Sequence, residues 1–122
     1  MHSHEIPAEQ WHGFFDQFSH DHAGWPVTVE VLSADDAGPE KLARGLPLQG
    51  ISFDRAGTRP SSLRIIAGDE PAANVSHVID LPLHVRLAEK EEDASGMLMI
   101  EPAQGQTTVV HFHPPHWLHP RH

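Results

Sequence analysis

Histidine offers this chain most of its chemistry, with twelve among 122 residues. His111, His113, His116 and His119 crowd the C-terminus. On a strand, His111 and His113 would project from one face ~7 Å apart, and the chain beyond Pro114 can bring in His116 as a third nitrogen ligand. Three imidazoles so placed would bind zinc, nickel or copper weakly. No Cys/His finger spacing accompanies them, and the plainer account is a polar strand face followed by a solvated tail. His20-Asp21-His22 falls where a helix should end. Cationic side chains there complement the helix dipole and bond the last carbonyls, which accounts for them without a ligand. Asp16, four residues before His20, completes a conceivable metal set, but a fraying helix end holds ligands poorly.

Catalytic constellations are missing. Gly50-Ile51-Ser52-Phe53-Asp54 lacks the second glycine of a nucleophile elbow, and Ser52 falls inside a strand pattern. His4-Glu5 has no second histidine at metalloprotease spacing, Asp35-Asp36-Ala37-Gly38 is too short for a calcium loop, and no glycine-rich phosphate loop occurs. The chain has no cysteine, which removes disulfides, thiolate nucleophiles and cysteine-based zinc sites. Asn74-Val75-Ser76 matches a glycosylation sequon that a cytoplasmic protein would not use. Glu89, Glu91, Glu92 and Asp93 read as a solvated hairpin tip. The sequence therefore points to a non-enzymatic domain.

Seventeen acidic residues against eight basic ones give a formal charge of −9, which disfavours nucleic acid and anionic membranes as partners. The histidines outnumber that deficit, so the net charge changes sign in the range where histidine titrates, near pH ~6.5. No apolar run approaches the ~20 residues that span a bilayer, and no signal peptide opens the chain; a cytoplasmic location is the expectation. An apolar fraction of 39% and 122 residues suit one hydrophobic core.

Any site must be positioned by the elements legible in the spacing. Trp11, Phe14, Phe15 and Phe18 recur at i, i+3, i+4 and i+7, one face of a helix expected over about 7–20. Pro7 suits its first turn and Gly24 its stop. Gly13, inside it, suggests a close contact with another element. This aromatic stripe reads as a buried face, with a partner-docking face as the alternative.

After Gly24 the apolar period becomes two: Trp25, Val27, Val29 and Val31 read as a strand. Residues 33–45 read as a loop with one short helical turn around Glu40 to Arg44. Strands follow at about 48–54 and 62–67, forming a hairpin through Arg55 to Pro60, then a turn at Gly68-Asp69-Glu70-Pro71. Next come 76–81 and a strand with Leu83, Val85 and Leu87 on one face. A final hairpin has Leu98 and Ile100 opposite Thr108, Val110 and Phe112. The expected fold is α+β: an N-terminal amphipathic helix packed on a six- to seven-stranded, mostly antiparallel sheet or small barrel. Residues 1–113 form a single globular domain, and 114–122 a His/Pro-rich tail that cannot be regular helix or strand.

Three runs carry a family resemblance: Ile6-Pro7-Ala8-Glu9-Gln10-Trp11, Phe14-Phe15-Asp16-Gln17-Phe18-Ser19, and Gly24-Trp25-Pro26-Val27-Thr28-Val29-Glu30-Val31-Leu32. It continues through Leu46-Pro47-Leu48-Gln49-Gly50-Ile51-Ser52, Ser76-His77 and Val85-Arg86-Leu87 to about residue 113. The chain resembles a small bacterial family known only as a domain of unknown function. That resemblance implies a stand-alone bacterial domain and no particular reaction, and the His/Pro-rich ending departs from its pattern. The leading functional expectation is a module that binds a protein or small ligand, or pairs as a homodimer through an exposed strand edge. The alternative is a metal-binding or metal-buffering protein using His111, His113 and His116, with zinc or nickel as the weakly held ion and no other cofactor.

Overall fold

The helix forms where the aromatic stripe places it. In the computed structural model, which describes residues 2–32, 38–54, 61–69, 74–90 and 94–115, a 3-10 turn (Ala8–Gln10) leads into α1 (Trp11–Asp21). Trp11, Phe15 and Phe18 are buried and Phe14 half-buried. The Trp11 indole N–H donates to the Ile6 carbonyl at 2.8 Å, and its ring meets Phe53 edge-on with centroids 5.4 Å apart. The helix ends as expected. The His22 backbone N–H bonds the Phe18 carbonyl, the His22 ring Nδ1 lies 2.9 Å from the same oxygen, and Gly24 turns the chain at φ +82°. Gly13 does not serve a close contact: a Cβ there would meet nothing within 4 Å. Two residues from Trp11 is about 200° around the helix, which carries Gly13 to the solvent side.

Among the described residues eight strands follow the order β1-β6-β7-β8-β2-β3-β4-β5, every neighbouring pair antiparallel. They are β1 (His2–Glu5), β2 (Pro26–Val31), β3 (Glu40–Asp54), β4 (Ser62–Ala67), β5 (Val75–Asp80), β6 (Pro82–Glu89), β7 (Gly96–Pro102) and β8 (Thr108–Phe112). The class is α+β, as expected, but with eight strands rather than six or seven, and the sheet stays open between edges β1 and β5 rather than closing into a barrel. The added strand is β1, whose His-Ser-His-Glu has no apolar alternation to announce it; it is held by pairing with Glu89 to Arg86 of β6.

Two local expectations are corrected. Glu40 to Arg44 is not a helical turn but the start of β3, paired with β2 through Val31↔Glu40 and Val29↔Ala43. Five residues of fair helix propensity yield here to a ladder that buries Ala43. Leu83 does not share the buried face of Val85 and Leu87: the register shifts between Pro82 and His84, and Leu83 stands 55% exposed. A bulge flips side-chain parity, so the alternation breaks at that residue. The expected connection at 55–60, the Glu70-Pro71 half of a turn, the acidic tip at 91–93, residues 33–37 of the loop after Leu32, and His116 and His119 lie outside the described residues.

The long strand β3 organises the molecule. Its first half pairs with β2 and its second, from Leu48 to Asp54, with β4. Where β2 no longer flanks it, α1 takes over: the Ser19 hydroxyl donates to the Ile51 carbonyl (3.0 Å) and accepts the Ile51 N–H (2.8 Å). The aromatic stripe thereby meets Val27, Leu48, Ile51, Leu63, Leu98, Ile100, Val110 and Phe112 in one core.

Candidate functional site

Two regions combine exposure with chemistry. The first is the edge strand β5 and the corner that follows it. Val75, His77 and Ile79 lie on its inward face, while Ser76, Val78 and Asp80 are exposed. One residue, Leu81, turns the chain into β6. It does so at φ +52°, a left-handed conformation that costs a bulky residue about 1–2 kcal/mol. Backbone bonds hold it there, from the Leu81 N–H to the Ser61 carbonyl and from the Ala103 N–H to the Leu81 carbonyl. The strain keeps a leucine outside: Val78, Leu81 and Leu83 are 43%, 47% and 55% exposed, three of the four large exposed apolar side chains among the described residues.

Beneath this corner, His77 reaches from the edge strand β5 to the interior strand β8. Its Nε2 shares a 3.0 Å hydrogen bond with Thr108 Oγ1 on β8, a strand to which β5 has no backbone pairing. Burial disfavours the imidazolium and lowers the His77 pKa from its ordinary 6.5. The pair borders a groove of about 230 Å³, with Val31, Ile79, Pro102 and Gln106 among its walls. Thr108 is 1% exposed, so its hydroxyl is a structural partner out of reach of a substrate carbonyl. None of Val78, Leu81, Leu83 and His77 was a candidate site residue from the sequence; a histidine alternating inward between Val75 and Ile79 was the available signal.

The second region is the outer sheet face at β8. His111 projects there and its Nε2 lies 2.8 Å from Glu30 Oε1 on β2. His113 is exposed just past the strand, beside Pro114 and Pro115 in an open cleft shared with Pro26 and Pro47. His116 lies outside the described residues. Among those described, no three His, Cys, Asp or Glu side chains gather as a metal set. At the helix end, His22 stacks on Phe18 with centroids 4.0 Å apart, and Asp21 accepts from Gln17 Nε2 at 2.9 Å.

The opposite edge is built differently. Glu5 of β1 bonds His84 Nδ1 at 2.8 Å and lies 3.7 Å from Arg86 Nε. The hydrogen bond from His84, more than the nearby charges, holds the Glu5 carboxyl below its usual range.

Among the described residues no helix is long and apolar enough to cross a membrane. The chain matches no curated protein and no solved structure. A family model matches residues 2–121, running from the first strand through the histidine-rich end. The chain thus belongs to a family of unknown function, DUF5335.

Proposed function

We propose that this domain is a non-catalytic binding module that pairs with a second copy of itself along β5. One observation carries the reading: β5 is a six-residue edge, Val-Ser-His-Val-Ile-Asp, without the lysine or proline that usually blunts an open edge. The edge at β1 is shorter, four residues, and flanked by the Glu5 and Arg86 charges and the His84 ring. Strand addition at such an edge supplies main-chain hydrogen bonds, with exposed side chains setting register.

Self-pairing follows from the pattern of β5. A two-fold axis at Val78 sets Val78 against itself and Ser76 against Asp80, which avoids opposing like charges and buries the exposed valine. Leu81, at the corner just past β5, and Leu83, at the start of β6, are exposed beyond the end of the strand and extend the apolar surface. The groove beside His77, at about 230 Å³, is smaller than the ~300 Å³ at which small-molecule sites begin, which favours a strand as occupant.

Light scattering on the eluting peak, over about 1–100 μM protein, tests this in the affinity range of a modest dimer. The wild type should shift from monomer to dimer, and Val78→Lys should remain monomeric with unchanged circular dichroism. A wild type monomeric throughout, or a variant that dimerises equally, defeats the proposal.

A second reading places a divalent metal on His111, His113 and His116. The Glu30–His111 bond favours it, because metal-ligating histidines commonly donate their second nitrogen to a carboxylate. Zinc and nickel titration of untagged protein, with and without His113→Ala and His116→Ala, tests it; binding indifferent to both substitutions removes it.

A further inference from the structure

The outer face of the sheet carries a ligand set in which only one member is a histidine. Leu98 and Ile100 of β7 point into the core, fully buried. Met97 and Met99 alternate with them and so share the opposite face, both half-buried. The β7–β8 register sets Met97 directly across from His111 and Met99 across from Val109. On the other flank of β8, Thr28 faces His111 and Glu30 faces Val109. Val109 is 4% exposed yet is not part of the main core cluster, and with Met97 and Met99 it makes a small apolar patch on this face, bordered by His111.

We propose that Met97, Met99 and His111 form a binding site for copper(I). Thioethers are soft, uncharged ligands that select copper(I) over zinc or magnesium. Directly opposed residues hold their Cβ atoms about 4.5–5.5 Å apart, and the diagonal pair Met99–His111 about 7–8 Å. Unbranched methionine side chains close such gaps by rotation alone. Two sulfurs and one nitrogen can thus converge on one ion without moving the strands.

The ring of His111 is already set for this. Its Nε2 is engaged by Glu30, which leaves Nδ1 as the ring nitrogen for a metal and gives the histidine the carboxylate partner usual behind a metal ligand. Glu30, only 15% exposed, also supplies the negative charge that the three neutral ligands lack. Two cations border the patch. Arg86, opposite Met99, has its Nε 3.7 Å from Glu5 on the far side of β6, and Lys41, opposite Glu30, is exposed. The site shares His111 with the divalent-metal reading but rests on neither reading above, since it needs no residue beyond β8 and no second copy.

The test uses full-length, untagged protein labelled at its methionine methyls, with silver(I) as a redox-inert probe and copper(I) added anaerobically against a chromophoric chelator. The chain has three methionines, so Met1 is an internal reference. One equivalent of silver should shift the Met97 and Met99 methyl signals and leave that of Met1. The double variant Met97→Leu, Met99→Leu, which conserves volume, should melt like the wild type and lose the copper(I) binding. Glu30→Gln should weaken that binding about 10- to 100-fold by releasing the His111 ring. Methyl signals that stay in place at one equivalent overturn the proposal, as does copper(I) affinity unchanged in the double variant, which would assign the metal to histidines alone.

Discussion

Replacing Ser19 with alanine sets two physical effects against each other, and the sign of the result tells which one governs. Ser19 lies near the end of α1 on the side that meets β3, and helix propensity alone makes Ser19→Ala stabilising by ~0.5 kcal/mol. Its hydroxyl, however, bonds both the N–H and the C=O of Ile51, at 2.8 and 3.0 Å. Each such bond contributes ~1 kcal/mol net, and Ile51, 2% exposed, offers water little access to the groups left behind. The loss is therefore about 2 kcal/mol or more, and the net destabilisation about 1.5 kcal/mol. For a domain of this size that corresponds to a melting temperature lower by about 6 °C. Urea denaturation followed by tryptophan fluorescence measures it, with His20→Ala on the exposed side of the same helix as the propensity control. A Ser19→Ala protein as stable as the His20→Ala control would refute the role of Ser19 as the partner that β3 lacks beyond β2.

Two glycines should respond in opposite directions to alanine. Gly13→Ala meets nothing within 4 Å and should add up to about 1 kcal/mol to the unfolding free energy. Gly96→Ala drives a methyl into the Ala88 carbonyl and the Phe112 ring and should cost about 3 kcal/mol or more, read by the same urea curves. Leu81→Gly should cause no loss of stability despite removing a leucine, because glycine adopts φ +52° freely while its greater unfolded-state entropy costs about 0.5–1 kcal/mol. His77 makes stability pH-dependent with a definite sign. Its folded pKa is lowered, so the unfolded chain takes up the proton first; stability falls as pH drops below 6.5 and levels off once the folded form also titrates. Thermal melts from pH 7.5 to 5 should show a shallower decline in His77→Leu than in the wild type.

The aromatic stripe of α1 was legible because four large side chains at helical spacing leave no other way to share a face. Val27 and Val29, and likewise Leu98, Ile100, Val110 and Phe112, were legible by the same logic at period two, and all are buried. What escaped the sequence was decided by partners distant along the chain. His2 to Glu5 is a strand only because β6 offers it an edge, and Glu40 to Arg44 only because β2 does. The parity of Leu83 depends on a bulge, and the openness of the sheet on its two edges, β1 and β5, staying unpaired with each other. The candidate sites share this origin. Once Leu98 and Ile100 are assigned inward, Met97 and Met99 must lie together outside. Their meeting with His111 depends on the length of a turn that local patterns do not fix.

That β5 is an edge which pairs with its own copy is most directly tested by a disulfide. The chain has no cysteine, so Val78→Cys introduces one thiol at the proposed two-fold axis, and Gln17→Cys places one on the exposed side of α1, away from the groove, as the comparison. Under mild oxidation, Val78→Cys should form a covalent dimer far faster than Gln17→Cys and retain the native circular dichroism. Equal rates for the two thiols would mean that the β5 strands do not meet.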